Sequence, residues 1–278
     1  MFRGLYTATS GMMASERRQQ HLTNNLSNAS TPGYKQDSSI YRAFPEYLIQ
    51  RMQGNKADHT PADPAVGSLN NGVYIQEGIP QFTQGALIDT GKGTDIAILD
   101  ENLPIDPDTN RKGTLLFAAQ LPNGDIRYTR NGNFSIDSEG YLATSEGYRI
   151  LGENLQPIRP DSENFSLLAN GAIQGSDASG ARVWIGYTGE PDKLTKEGHG
   201  LFLWEGDKDT EPRIARTVNF LNGQFELKQG MLEGSNVDVS QTMTDMISTY
   251  RLFEANQKVL QAYDRSMEKT ANDVGKVY

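Results

Sequence analysis

The sequence predicts an α+β fold in which N- and C-terminal helices form a coiled-coil-like stalk and an antiparallel β domain is inserted between them. Apolar residues recur at steps of four and three near both ends, short β-branched and aromatic runs fill the middle, and Asn-Gly or Glu-Gly pairs separate those runs. Only 36% of the 278 residues are hydrophobic, which suits a turn-rich β fold better than a thick helical core. We expect an N-terminal helix over 1–34, an extended linker over 35–72, a β-rich domain over 73–229, and a C-terminal helix with a preceding turn over 230–278.

The N-terminal helix is predicted from a seam of residues that alternate four and three apart, which places them on one narrow helical face. The seam consists of Met1, Leu5, Ala8, Met12, Ser15, Gln19, Leu22, Leu26 and Ala29. The tripeptide Thr31-Pro32-Gly33 ends this helix, because proline cannot continue it and disfavours helical geometry in the residue before it.

Prolines and glycines make the following segment, over 35–72, extended and irregular. In the β region we predict ten strands, around residues 73–75, 86–88, 95–98, 115–117, 126–129, 141–143, 149–151, 183–185, 201–204 and 225–227. Five glycine-containing pairs should close hairpins through a positive φ. They are Asn123-Gly124, Asn131-Gly132, Glu139-Gly140, Glu146-Gly147 and Asn222-Gly223.

The C-terminal helix carries a longer seam with the same alternation. Its members are Val239, Met243, Met246, Tyr250, Phe253, Gln257, Leu260, Asp264 and Met267, continued by Ala271, Val274 and Tyr278. Asp238 or Ser240 can cap the free amides of its first turn.

Neither seam is wide enough to account for all the apolar residues of its helix. Each offers about five or six large apolar side chains worth ~1.5–3 kcal/mol when buried, whereas ordering a ~30-residue helix costs about 1.5 kcal/mol per residue. Further apolar residues flank the seams: Met13, Ile247, Leu252 and Val259. One interpretation is that the two helices form an intramolecular hairpin. The other is that they pack against neighbouring subunits, and the wider apolar surface favours it.

The composition excludes several function classes. The net charge is −9 with acids and bases interspersed, so no basic stripe is available for nucleic acid. There is no cysteine, which removes disulfides and thiolate chemistry. We find neither a secretory signal nor about 18 consecutive apolar residues, and therefore expect no membrane insertion and either cytoplasmic residence or exit by another route.

Catalytic and ligand-binding patterns are also missing. Three histidines stand apart, and no nucleophile or phosphate motif occurs. Residues 106–110 imitate the start of a calcium loop, but Arg111 replaces the required glycine and Phe117 the closing glutamate. We predict no enzyme, cofactor or metal, although residue type alone leaves a glycosidase carboxylate pair open. An aromatic group could form a sugar platform but is better explained as core: Trp184, Tyr187, Phe202 and Trp204.

Two segments resemble the signatures of the flagellar rod and hook protein family. Near the N-terminus, Ser-Gly-Met-Met at 10–13 and Leu-Thr-Asn-Asn-Leu-Ser-Asn at 22–28 precede Thr-Pro-Gly-Tyr-Lys at 31–35. Near the C-terminus, Gly-Met-Leu-Glu-Gly-Ser-Asn-Val-Asp at 230–238 precedes Tyr-Arg-Leu-Phe-Glu-Ala-Asn-Gln-Lys-Val at 250–259. The middle, over 85–98 and 126–151, is similar to the β domain of distal-rod and hook–basal-body proteins. The chain departs from the family where Leu-Asp-Glu-Asn-Leu-Pro at 99–104 replaces a Gly-x-Gly-Phe-Phe strand, and at Gln241, where an acid is common.

The resemblance implies a structural subunit of the flagellar basal-body rod, the drive shaft between motor and hook. It implies export by the flagellar type III apparatus without a cleaved signal, helical polymerisation with itself and other rod and hook proteins, and passage through peptidoglycan. A hook or hook-junction protein of the same family is the first alternative. A secreted wall-binding β module is the second, and a wall-cleaving enzyme the third.

The terminal helices are therefore the expected subunit interface. The residues assigned to it are Leu5, Met12, Leu22, Asn24, Asn25, Leu26, Asn28, Met243, Met246, Tyr250, Phe253, Asn256, Leu260 and Met267. Asparagine is costly inside a helix because its amide competes with the backbone. We interpret the three N-terminal asparagines either as a solvated face or as amides that bond between subunits, in which case Asn25→Leu would leave the monomer folded and impair assembly.

Overall fold

The computed structural model describes residues 2–50, 65–76, 78–100, 103, 105, 112–160, 165–168, 171–174, 181–207, 211–218 and 225–274. The chain divides into two compact units. Unit 1 comprises Met1–Leu26, Asp37–Ile79 and Val239–Tyr278, and unit 2 comprises Ser27–Gln36 and Pro80–Asp238. Helices and antiparallel sheets occur together, so the predicted α+β class is confirmed.

The two long helices come from the ends of the chain. Helix α1 spans Phe2–Ser27, and α2 spans Val239–Lys269 and continues into a π-helical turn at Thr270–Val274. Both lie where the seams predict helices, and α2 begins between the two predicted caps. No helix in the described part of the chain contains a stretch apolar enough to cross a bilayer.

Six short strands follow α1. They are β1 (Asp37–Ser38), β2 (Tyr41–Ala43), β3 (Tyr47–Gln50), β4 (Ala65–Leu69), β5 (Val73–Ile75) and β6 (Ile79–Pro80). Strand β2 pairs with β5 and β3 pairs with β4, both antiparallel. The segment 35–72, expected to be an extended linker, thus carries paired strands in its described residues. Sequence patterns miss them because runs of two to five residues show no clear alternation.

Unit 2 contains the remaining strands. They are β7 (Leu87–Asp89), β8 (Ile96–Leu99), β9 (Thr114–Gln120), β10 (Ile126–Thr129), β11 (Phe134–Ile136), β12 (Leu142–Thr144), β13 (Arg149–Ile150), β14 (Ser166–Leu167), β15 (Ile173–Gln174), β16 (Ile185–Thr188), β17 (Leu194–Gly198), β18 (Leu201–Trp204), β19 (Arg213–Ile214), β20 (Glu226–Gln229) and β21 (Met231–Glu233). Two 3₁₀ turns lie at Pro191–Lys193 and Ala215–Thr217.

The main sheet of unit 2 is organised around β9. Its strand order is β11-β12-β13-β9-β10-β18-β17, and β16 pairs with the first half of β9 and with β19. Two further antiparallel pairs, β7 with β21 and β8 with β20, bring the end of unit 2 back to its beginning.

Strand β9 is buried on both faces, because core lies on each side of the sheet. Leu115, Phe117 and Ala119 face the larger cluster, in which the Phe117 and Phe134 rings meet edge to face at 5.2 Å. Leu116 and Ala118 face the smaller one. The period-two alternation of a strand therefore supplies two cores from one apolar run.

Each of the ten predicted strands overlaps an observed strand. Glycines 124, 140 and 147 close hairpins with positive φ, as predicted. Gly132 serves another purpose: a Cβ there would lie 1.7 Å from the Ile96 carbonyl oxygen, so close backbone approach requires the glycine. The pair Asn222-Gly223, the calcium-like residues 106–110 and half of the departing loop at 99–104 lie outside the described residues.

Truncating a leucine on β9 should destabilise unit 2 strongly. Leu115 is fully buried, and Leu115→Ala should lower the free energy of unfolding by about 2–5 kcal/mol through lost burial and a residual cavity. Leu155→Ala is the matched control, since Leu155 is half exposed in the same unit and should contribute under about 1 kcal/mol. Urea unfolding of both variants measures the difference, and equal losses would contradict the assignment of β9 to the core.

Candidate functional site

The two signature segments meet at a buried ion pair in unit 2. Lys35, the last residue of the N-terminal signature, donates from Nζ to Oε1 of Glu233 at 2.7 Å. Both side chains are 1% exposed. The same ammonium donates to the Thr83 carbonyl at 2.8 Å, and Glu233 Oε1 also accepts from the Gly85 amide at 2.9 Å. Segments 198 residues apart are thereby joined.

Arg130 completes this buried group from the end of β10. Its Nε donates to the second oxygen of Glu233, and its Nη2 lies 2.9 Å from Asp100 Oδ2. The guanidinium also donates to the carbonyls of Leu115 at 2.6 Å and Ile98 at 3.1 Å. We call Lys35, Asp100, Arg130 and Glu233 the clasp. Two cations and two carboxylates balance within it, so its net charge is zero.

Burial and neighbouring charges set the protonation of the clasp. Burial, together with the positive charge of Arg130, lowers the pKa of Lys35 to about 8, against the opposing pull of Glu233. Burial opposes ionisation of Glu233, but the positive charges of Arg130 and Lys35 outweigh it and hold the pKa of Glu233 below its usual range. Glu233 is therefore ionised at neutral pH and bonds to both cations.

Backbone contacts fix the same two segments around the clasp. The Gly33 amide donates to the Glu233 carbonyl at 2.7 Å. The Asn236 side chain accepts from the Gln36 amide at 2.7 Å and donates to the Gln81 carbonyl at 2.7 Å. Gly33 has a φ of 69°, and a Cβ there would lie 2.6 Å from the Arg130 carbonyl carbon, so glycine is required. The Thr-Pro-Gly-Tyr-Lys and Ser-Asn-Val-Asp turns therefore act as one structure.

In unit 1, small residues bring α1 and α2 close together. A Cβ on Gly4 would lie 1.9 Å from Tyr263 Oη, and one on Gly11 would lie 2.9 Å from Asn256 Nδ2. Both pairs are seven residues apart and run in opposite directions, so the helices are antiparallel. On α1 the inward face alternates four and three through Gly4, Ala8, Gly11, Ser15, Arg18, Leu22 and Asn25.

The inward face of α2 is rotated relative to the predicted seam. Its less exposed residues are Thr242, Met246, Thr249, Phe253, Asn256, Leu260, Tyr263 and Met267. Met246, Phe253, Asn256, Leu260 and Met267 are thus predicted interface residues that lie on the inner face. Met243 and Tyr250 are instead about half exposed. The apolar pattern predicts that Met243 and Tyr250 are buried, but Thr242 and Thr249, each one residue earlier, are buried instead.

The predicted interface residues of α1 are distributed in the same way. Leu22 is buried, whereas Leu5, Met12 and Leu26 are half-buried on the side of the inward face. Apolar residues on the opposite side, Tyr6 and Met13, are 65% and 54% exposed.

The three asparagines differ in environment. Asn24 is exposed, and Asn28 is half-buried and accepts from Thr31 Oγ1 at 3.2 Å. Asn25 is fully buried. Its Nδ2 donates to the Asp37 carbonyl at 2.9 Å, and its Oδ1 accepts from the Asp37 amide at 3.0 Å. The expectation that Asn25→Leu leaves the monomer folded must therefore be revised, because this amide bonds within its own chain.

The sequence patterns did not predict the clasp or the close approach of α1 and α2 at Gly4 and Gly11. Arg130 gave a usable signal, since it directly follows a predicted strand, and a charged side chain that is buried there requires a partner. Gly4 and Gly11 gave another, because two glycines seven apart in a helix indicate close packing. Neither signal identifies the partner, which comes from more than a hundred residues away.

The aromatic group predicted as core is confirmed for three members. Trp184, Tyr187 and Phe202 are buried, and Trp184 stacks on Tyr128 at 5.6 Å. Trp204 is half-buried and donates to the Asp207 carbonyl at 3.1 Å. Stacking faces for a sugar are thus occupied by protein. Within the described ranges, no group of three or more His, Asp or Glu residues is placed to hold a metal ion.

The charge is divided unequally between the units. Unit 1 has 11 basic and 11 acidic residues, whereas unit 2 has 15 basic and 24 acidic residues. The whole net charge of −9 therefore belongs to unit 2, and association through unit 1 is not opposed by net charge.

Three family models match this chain. The model described as flagella basal body rod protein matches residues 5–35, the flagellar hook protein FlgE/F/G D1 domain matches 112–175, and the flagellar basal body rod FlgEFG protein C-terminal model matches 228–273. The first and third include Lys35 and Glu233, and the second includes Arg130.

Full-length relatives agree with these matches. The chain is 41% identical over 279 residues to the flagellar hook-basal body complex protein FlhO of Bacillus subtilis, covering 100% of both chains. It is 30% identical to the flagellar basal-body rod protein FlgG of Borreliella burgdorferi, over 96% of this chain and 97% of the relative. The FlgG of Bacillus subtilis is 28% identical, over 98% of this chain and 99% of the relative.

Neutralising the clasp carboxylate should weaken unit 2 and reduce its sensitivity to acid. Glu233→Gln leaves two buried cations with one carboxylate and should cost about 3–5 kcal/mol at neutral pH. Since the folded pKa of Glu233 lies below its ordinary value of 4.5, its stabilisation is complete above that pH and is lost as the pH falls through the folded pKa. The variant should therefore lose less stability than the parent on acidification, as urea unfolding at a series of pH values would measure.

Glu197→Gln is the control, because Glu197 forms a surface ion pair with Arg127. It should change stability little at neutral pH. The pH dependence of Lys35 has the same sign in an alkaline window: between about 8 and 10.5 the folded state holds fewer protons than the unfolded state, so stability increases as pH rises. A Glu233→Gln variant as stable as Glu197→Gln would contradict the importance of the clasp.

Replacing Asn25 should destabilise unit 1. Asn25→Leu removes both partners of the Asp37 peptide groups, each costing about 1–3 kcal/mol when buried and unsatisfied. Asn24→Leu is the control, since Asn24 is exposed on the next position of the same helix. Thermal unfolding followed by helical circular dichroism compares them, and equal melting temperatures would show that the Asp37 backbone does not need this amide.

Proposed function

The chain belongs to the family of flagellar basal-body rod and hook proteins, and we propose that it is a structural subunit of the rod. In this proposal it polymerises helically through its terminal helices into the drive shaft that links the motor to the hook. It acts mechanically and catalyses no reaction. Its partners are further copies of itself, other rod and hook proteins and the flagellar type III export apparatus.

The observation that carries the proposal is the apolar surface that α2 leaves uncovered. Six of its large apolar side chains are between 40% and 56% exposed: Val239, Met243, Ile247, Tyr250, Leu252 and Val259. Soluble monomers rarely keep such a surface unless it binds a partner.

The exposed residues lie on two flanks of the inner face. At about 100° per residue, Val239, Met243, Ile247 and Tyr250 lie roughly 100° to one side of it, and Leu252 and Val259 lie roughly 80° to the other. Tyr6 and Met13 lie on the far side of α1. Apolar surface in several directions fits a helix pair surrounded by copies of itself, as in the wall of a tube.

Within each chain, we propose that α1 and α2 form the coiled-coil-like stalk of this tube. The close approaches at Gly4 and Gly11 and the four-three alternation of both inner faces support it. The predicted interface is then divided: Met246, Phe253, Leu260 and Met267 pack within the chain, and Met243 and Tyr250 pack between chains.

The alternative to a rod subunit is a hook or hook-junction subunit of the same family, which would lie elsewhere in the axial structure. Export without a cleaved signal and passage through peptidoglycan follow from the rod proposal. A wall-binding β module is less favoured, because its aromatic residues are buried or half-buried and the exposed apolar flanks of α2 would have no role in it.

Complementation of a deletion strain tests the proposal. The strain should lack hooks and filaments by electron microscopy, and the full chain should restore them. The double variant Ile247→Asp with Tyr250→Asp should fold with unchanged circular dichroism but fail to restore hooks, since it places charge on the exposed flank. Gln261→Asp, which adds charge at a polar exposed position of α2, should restore them.

Normal flagella in the deletion strain would overturn the rod proposal. Restored hooks in the double variant would refute the interface while leaving the family role intact. A terminal deletion is a poorer test, because a fragment of residues 35–230 lacks Glu233 and would lose the clasp.

A further inference from the structure

We propose that the clasp makes the folding of unit 2 conditional on residues 226–238, so that the preceding part of the unit stays unfolded until this segment joins it. The proposal rests on contacts inside unit 2 and holds whether or not the chain is a rod subunit. It assigns residues 226–238, which follow the whole main sheet in the chain, a controlling role in folding.

Buried charge is the first reason that unit 2 depends on residues 226–238. Lys35 and Arg130 are both buried, and both contact the carboxylate of Glu233, which lies 198 and 103 residues further along the chain. Without Glu233, Arg130 keeps Asp100, but Lys35 loses the carboxylate that its ammonium contacts. A buried cation without a counter-charge opposes folding, so burying Lys35 in unit 2 is unfavourable until Glu233 joins it.

Residues 226–238 also supply hydrogen-bond partners to the backbone of unit 2. Strand β20 covers the edge of β8 over four residue pairs, and β21 covers β7 over three. The segment also accepts the Gly33 amide and the Gln36 amide. Until residues 226–238 pair with them, the backbone groups of β7, β8, Gly33 and Gln36 would have to be buried without partners or remain in water.

Residues 226–238 further contribute apolar and side-chain amide contacts. Leu227 is buried in the larger core cluster. Gln229 donates from Nε2 to the carbonyls of Gly93 at 2.6 Å and Phe165 at 2.7 Å and accepts from the Leu167 amide at 2.8 Å. One side chain thus holds two stretches of unit 2, at Gly93 and at 165–167. Segment 226–238 is therefore a structural part of the core.

Residues 226–238 are synthesised after the rest of unit 2, which delays the folding of the unit. Chains grow from the N-terminus, so Lys35 and Arg130 are made well before Glu233. Contacts over such separations carry a high loop-closure cost and form slowly. Unit 2 then folds in one late step, and incomplete chains stay extended.

Pulse-labelled hydrogen exchange during refolding of the full chain tests the proposal without any substitution. The amides of β9 and β10 should gain protection in the same kinetic phase as those of β20 and β21. Protection of β9 and β10 in an earlier phase would overturn the proposal, because the sheet would then be stable before the last segment joins.

A variant supplies a second, equilibrium readout. In native-state exchange of Glu233→Gln, amides of β9 and β10 should exchange about a hundredfold faster or more, together with those of β20 and β21. Glu197→Gln should leave both groups unchanged. Acceleration confined to β20, β21 and their partners β7 and β8 would overturn the proposal. If Glu233→Gln does not fold, the kinetic order in the parent chain decides.

Discussion

The carboxylate of Glu233 is the interaction on which the rest of unit 2 depends. It lies between Lys35 and Arg130, which are buried and come from the N-terminal turn and the middle of the sheet. Lys35 and Arg130 share this one carboxylate, so two remote sequence segments have to meet at one point. That requirement explains why the Thr-Pro-Gly-Tyr-Lys turn and the Met-Leu-Glu-Gly-Ser-Asn-Val-Asp turn act together, and why Gly33 must lack a side chain where it passes Arg130. Ordinary apolar packing of the sheet then proceeds around a fixed polar centre.

The sequence predicts the elements of this fold better than their partners. Local patterns locate α1, α2 and all ten predicted strands, because helix and strand periods are visible over short windows. They fail where elements are too short, as in β1 to β4, and where the decisive contact is remote, as between Arg130 and Glu233. The helical seams illustrate a third reason. Counting apolar residues selected Met243 and Tyr250, whereas Thr242 and Thr249 are the buried residues.

The two helices thus combine two kinds of surface. Their shared face mixes small residues, such as Gly4, Ala8 and Gly11 on α1, with larger ones on α2, such as Phe253 and Leu260. Further large apolar residues flank that face and remain exposed. A pair with this division is poorly stabilised alone and gains stability when the flanks are covered. Asn25 anchors the end of α1 to the Asp37 backbone, so the helix is fixed at this end even before any flank is covered.

The unequal division of charge has a consequence for unassembled chains. Unit 2 carries all nine excess negative charges and unit 1 carries none. Copies of the chain therefore repel one another through unit 2, whereas the exposed apolar flanks of the helices belong to unit 1. At the ionic strength of a cell this repulsion extends only about 8–10 Å, and added salt shortens it further. Apolar association through unit 1 is not weakened in this way. The highest concentration at which free chains stay monomeric therefore depends on the salt concentration, and it falls as salt is added.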